Sequence, residues 1–195
     1  MRTRSHDRAA LFSKRGLGRN LSSGAARKTI RDCGNFRAFL MDAANPLTRV
    51  CALLNGQAAQ YLIVGAQAAI LHGHIRTTED VDILIPEDVE NHARVIAALS
   101  QLEDHAAAEL TPRDFIENVV VKIADKLEVD VSTRAWKVSY ADAIPTALRT
   151  TIGGVEVPYL DLATLIASKD TYRDQDRVDV QLLREIARRR PTPGT

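Results

Sequence analysis

Asp80 and Asp82 are separated by a single valine at the head of an apolar run, Asp80-Val81-Asp82-Ile83-Leu84-Ile85. Successive side chains on a strand point to opposite faces, so on a strand these two carboxylates share a face with Cα atoms roughly 6.6 Å apart. Like charges that close repel unless a cation lies between them. Oxygen-only ligands suit Mg²⁺ or Mn²⁺. Fifteen residues before Asp80 the run Tyr61-Leu62-Ile63-Val64 ends at Gly65. A glycine turn lets backbone N–H groups approach phosphate closely. Paired acids beside such a turn imply metal-assisted chemistry on a nucleoside triphosphate.

The elements that must position these groups can be read from periodicity and punctuation. Leu47, Val50, Cys51 and Leu54 follow a helical spacing after Pro46, broken by Gly56. Tyr61–Val64 reads as a buried strand, residues 66–72 as a short alanine-rich helix closed by Gly73, and Val81–Ile85 as a second strand stopped by Pro86. Residues 87–99 read as a helix with Val89, Val95, Ile96 and Leu99 inward, followed by a loop at Pro112-Arg113-Asp114. Val119–Ile123 and Leu127–Val131 read as strands joined at Asp125-Lys126, then a short helix near Tyr140–Leu148. Gly153-Gly154 marks a hairpin within 150–157. Asp161 caps a helix reaching about Thr171, and a last helix runs from about Asp174 to Arg189, ended by Pro191. Interleaved strands and helices that finish in helices predict an α/β or α+β fold: a mixed twisted sheet flanked by helices, with a C-terminal helical pair.

A chain of 195 residues with 45% hydrophobic and 26% charged residues has the composition of a soluble globular protein. It has no apolar run of about 18 residues, so no transmembrane helix and no membrane partner is expected. No continuous apolar segment follows the basic N-terminus, which argues against a secretory signal. Two cysteines, Cys33 and Cys51, are too few for a disulfide framework and have no His/Cys cluster for zinc, so a cytoplasmic location is expected. The net charge of +1 hides an asymmetry. Residues 1–40 hold ten Lys/Arg against two Asp/Glu, whereas 41–195 hold sixteen against twenty-three. The expected division is therefore a basic, disordered tail over 1–40 and one domain over 41–190. The tail is read either as solvated, as lying upstream of a working start near Met41, or as a grip on RNA phosphates.

Gly65-Ala66, then Arg76-Thr77-Thr78-Glu79-Asp80-Val81-Asp82-Ile83, resembles the nucleotidyltransferase superfamily that includes DNA polymerase beta. More narrowly it resembles small bacterial nucleotidyltransferases related to the AbiEii toxin of type IV toxin–antitoxin systems. The ending Leu160-Asp161-Leu162-Ala163-Thr164-Leu165-Ile166-Ala167-Ser168-Lys169, with Arg173, Asp176 and Asp179, is similar to that group's DL-x-x-LK…R-x-x-D-x-x-D pattern. The resemblance spans about residues 46–188.

The resemblance implies three carboxylates on adjacent strands holding two Mg²⁺ (or Mn²⁺) ions. Asp80 and Asp82 match the first two. For the third, Asp130 in Val129-Asp130-Val131 fits, with Glu128 two residues earlier as competitor. It also implies a triphosphate cradle at Gly65, Ala66 and Gln67, where the group has Gly-Gly or Gly-Ser and this chain lacks the hydroxyl. Arg76 either takes phosphate bidentately or pairs with Glu79. Lys169 lies on the inward stripe of its helix with Leu162, Leu165 and Ile166. It either snorkels at the helix end or, as the resemblance suggests, reaches the triphosphate. Asp176 and Asp179, spaced i, i+3 on the last helix, either orient Lys169 or Arg173 from behind or are simple helix-surface acids. His72 and His74 read as structural, and Trp136 and Tyr140 either stack on a base or belong to the core. The implied activity is transfer of a nucleotide from a nucleoside triphosphate to a hydroxyl, on a tRNA 3′ end, another RNA or a protein, with an antitoxin protein as possible partner. Alternatives are a catalytically weak nucleotide- or RNA-binding module on the same fold, and a metal-dependent phosphate-ester hydrolase.

Overall fold

The structure, a computed structural model, describes residues 9–12, 45–74, 77–171 and 174–189. Seven strands form one mixed sheet: β1 (Ala9–Phe12), β2 (Leu62–Ile63), β3 (Val81–Leu84), β4 (Val120–Ala124), β5 (Glu128–Ser132), β8 (Leu148–Ile152) and β9 (Val155–Tyr159). Their order is β1-β4-β5-β3-β2-β9-β8. The pairs β1/β4, β3/β5 and β2/β9 are parallel; β2/β3, β4/β5 and β8/β9 are antiparallel. A separate two-stranded ribbon is formed by β6 (Arg134–Ala135) and β7 (Val138–Ser139).

Helices flank the sheet. Helix α1 (Pro46–Gly56) opens with Asn45, whose side chain accepts from the Leu47 N–H at 3.0 Å, and with proline in the first turn. It packs against β9 and against α3 (Val89–Leu99). Helix α2 (Gly65–Leu71) lies against β3 and against α6 (Leu162–Ser168), and α6 packs on α7 (Asp174–Arg189), giving the expected C-terminal helical pair. The apolar alternation of the central strands accounts for the core. Val81, Ile83, Val129, Val131, Val121 and Ile123 are buried with Leu47, Leu54, Leu99 and Leu160. Among the described residues no helix is long and apolar enough to cross a membrane.

Several expectations need correction. Pro112-Arg113-Asp114 is not a loop but the start of α4 (Pro112–Glu117). Thr111 and Asp114 form a reciprocal capping box and the proline occupies the first turn, where its missing N–H costs nothing. Val89 faces outward, 55% exposed, because Asn91 and His92 take the inward positions of α3. The helix near residue 140 is short: α5 (Tyr140–Ala143) runs into a 3₁₀ turn, and Leu148 already belongs to β8. Helix α6 stops at Ser168, because Lys169 leaves helical geometry and the chain turns, with the Thr171 N–H donating to the Lys169 carbonyl at 2.8 Å. In the N-terminal segment, residues 9–12 pair in parallel with β4 as an edge strand; the remainder of 1–40 lies outside the described residues. The hairpin at Gly153-Gly154 is as expected, both glycines adopting positive φ (56° and 82°) in the two-residue loop between β8 and β9.

Candidate active site

Strand register assembles the acidic site. Asp82 on β3 is the parallel partner of Asp130 on β5, and Asp130 is the antiparallel partner of Lys122 on β4. On the other side the Val64 N–H donates to the Asp82 carbonyl at 3.0 Å, which brings Gly65 beside Asp82. Lys122, Asp130, Asp82 and the Gly65 turn thus form one row across four neighbouring strands spaced about 4.8 Å apart. The opposite face of the same strands is the buried one: Val121, Ile123, Val129, Val131, Val81 and Ile83. Asp80 lies just before β3, two residues from Asp82. Glu128 shares the face of Asp130, but it is exposed and opposes Ala124 at the far end of the pairing. Register therefore places Asp130, and not Glu128, beside Asp82.

The turn is fitted to the carboxylate. Gly65 has φ +59°, and a Cβ there would stand 2.0 Å from Asp82 Oδ2. Glycine is required twice, for its conformation and for the space. Ala66 does not need positive φ, since it is already within α2. Gln67 is buried on the same helix. Burial, then the charge of Asp130, pushes the Asp82 carboxyl above its ordinary carboxylate value. Asp80 adds to the rise, while the Ala66 N–H and the charge of Lys169 oppose it.

Lys122 was not singled out in the sequence. Its ammonium donates to Asp130 Oδ2 at 2.6 Å, and this bond, with the charges of Asp130, Asp80 and Asp82, holds its pKa above that of an ordinary lysine. Among the described residues, no three His, Cys, Asp or Glu side chains are grouped closely enough to hold a metal ion as they stand.

Lys169 sits behind the row, its side chain 11% exposed. It donates to Asp179 Oδ2 at 2.7 Å and lies 3.6 Å from Asp176. Asp176 also accepts from the Thr171 hydroxyl, and His74 Nε2 lies 3.6 Å from Asp179. Both acids thus hold Lys169 from the last helix, while the lysine's charge still reaches Asp82. His72 is buried, its Nε2 2.8 Å from the Leu160 carbonyl and its ring edge-on to Tyr159. Tyr140 packs against the core, and Trp136 occupies the turn of the β6–β7 ribbon at φ +57° with Lys137 over its ring. Arg76 and Arg173 lie outside the described residues.

The chain matches no protein-family model, and no curated protein matches it. A lincosamide antibiotic adenylyltransferase, LnuA, solved with lincomycin bound, is similar in structure at a TM-score of 0.49 and 13% identity. The match covers 73% of this chain and 97% of that one.

Proposed function

We propose that the chain is a metal-dependent nucleotidyltransferase that moves a nucleotide from a nucleoside triphosphate to a hydroxyl acceptor. The observation that carries this reading is the register pairing of Asp82 with Asp130 beside the Gly65 turn. The donor set fits a hard divalent cation in kind: carboxylate oxygens only, one of them carrying a charge that burial disfavours. Asp80 and Asp82 would hold Mg²⁺ or Mn²⁺, with Asp130 as the third carboxylate. Such an ion supplies positive charge to the triphosphate and lowers the proton affinity of the acceptor hydroxyl.

This chain's own residues would bind and orient. The Gly65 turn and the first residues of α2, Ala66 and Gln67, lie where the triphosphate would dock. Lys169, steadied by Asp176 and Asp179, adds charge at the back of the site. Asp130 would accept the acceptor's proton. The acceptor oxygen bonds to the α-phosphorus as the bond to the β-phosphate oxygen breaks, and pyrophosphate leaves; no covalent enzyme intermediate is required. The acceptor classes consistent with this chemistry are an RNA 3′ end, such as that of tRNA, and a protein hydroxyl. A toxin-like role with a cognate antitoxin follows only from the sequence resemblance.

One observation favours a second reading, a catalytically weak nucleotide- or RNA-binding module. The Asp82 carboxylate already stands against the Gly65 turn, where the triphosphate would dock. Incubation with each labelled nucleoside triphosphate, Mg²⁺ and total RNA or cell extract separates the two. Transfer of label that disappears in Asp80→Ala and Asp82→Ala supports the enzyme. Metal-dependent binding without any labelled acceptor supports the module, and transfer retained by the double variant sinks the carboxylate assignment.

A further inference from the structure

We propose that Lys122 is a resident cation of the acidic row, its ammonium standing at Asp130 where a second divalent ion would otherwise sit, so that the chain takes up a single divalent ion at Asp80 and Asp82. This rests on the metal-dependent reading above and sets its count at one ion where the resemblance implies two.

Four observations converge on Lys122. It is the register partner of Asp130 across β4 and β5, so backbone pairing fixes its place beside the carboxylate. Its Nζ lies 2.6 Å from Asp130 Oδ2, a direct contact that leaves no room for an ion between the two groups. Asp130 is only 18% exposed, so its charge is poorly served by water and the ammonium is its main compensation. Asp130 is also the register partner of Asp82, so a cation fixed at Asp130 stands beside one of the divalent ion's own ligands. Charge points the same way. Asp80, Asp82 and Asp130 carry three negative charges and Lys122 one positive, leaving two for a divalent cation to neutralise. Lys169 cannot take this part, because it is engaged by Asp179 and Asp176.

Titration of Mn²⁺ into the full chain, with free ion read by electron paramagnetic resonance, counts the ions directly. Wild-type protein is expected to bind one Mn²⁺ and Lys122→Met two, while Lys122→Arg, which keeps the charge, stays at one. Melting gives a second readout: metal-free Lys122→Met should melt below wild type and recover when Mn²⁺ is added, and Lys122→Arg should not need it. Two ions on the wild-type chain, or the same count for all three chains, would overturn the proposal while leaving the metal-dependent reading intact. Mn²⁺ bound by none of them would overturn both.

Discussion

At the C-terminal end of β3 and β5 the buried polar groups meet backbone; at the N-terminal end carboxylates meet each other. Ser132 donates its hydroxyl to the Ile83 carbonyl at 3.1 Å, and the Ile85 N–H donates to the Ser132 carbonyl at 2.9 Å. His92, just beyond, sets Nε2 3.0 Å from the Pro86 carbonyl and Nδ1 3.3 Å from that of Pro112, with its ring against Phe115. The Ser132 hydroxyl and the Ile85 N–H are satisfied by the fold itself, and His92 donates to one of the two carbonyls it faces. Asp130 raises the cost of ionising Asp82, four residues or fewer away along the same strands; one backbone N–H and the charge of Lys169 relieve Asp82, and Lys122 pairs with Asp130. Such a contrast between the two ends is what the proposed ion site would require.

Asp82→Asn should break the contrast most strongly. Transfer of label should fall by roughly 10³-fold, the scale on which electrostatic site groups act. Stability should move the other way. The folded chain holds a proton on Asp82 more readily than the unfolded chain does, so this group's contribution is full below the ordinary carboxylate value and is lost as pH rises through its raised value. In chelator at neutral pH the variant should therefore melt above wild type by about 2–4 °C, the shift that 1 kcal/mol produces in a chain of this size. Melting curves across pH should show that gap closing on acidification; a variant that melts lower at every pH would contradict the account.

Lys169→Met tests the cluster behind the row. It leaves Asp179 buried without its lysine and should cost about 3 kcal/mol, read as a lower denaturant midpoint. His92→Ala probes the satisfied end: a loss of about 2 kcal/mol in the same measurement, with Mn²⁺ affinity unchanged, would confirm that this end serves the fold alone. Asp161→Ala should have the smallest effect. Its side chain caps α6 through the Ala163 and Thr164 N–H groups, and its loss should cost about 1 kcal/mol with no change in ion binding.

Sequence reading reached the parts of the site that local pattern encodes. Asp80 and Asp82 were visible because acids interrupt an otherwise apolar strand. Asp130 was visible for the same reason but could be separated from Glu128 only by register, which is a property of two strands at once. Lys122 was hidden for that reason: alone it is one more polar residue on a strand, and its meaning lies in what stands opposite. Helix α7 was read to the residue from its acidic start and basic end. Helix α4 falls where the sequence pattern predicts a loop, although Thr111, Pro112 and Asp114 carry the signals of a helix start. Strand β1 has only four residues amid basic ones, and it is a strand only because β4 offers it an edge.

That borrowed edge bears on how firmly the site is held. With Ala9–Phe12 in place, β4 is an interior strand, hydrogen-bonded on both sides. Without that outer neighbour β4 would become the exposed rim of the sheet, open to pairing with another chain. Because Lys122 rides on that strand, loss of residues 9–12 would loosen the lysine's hold on Asp130.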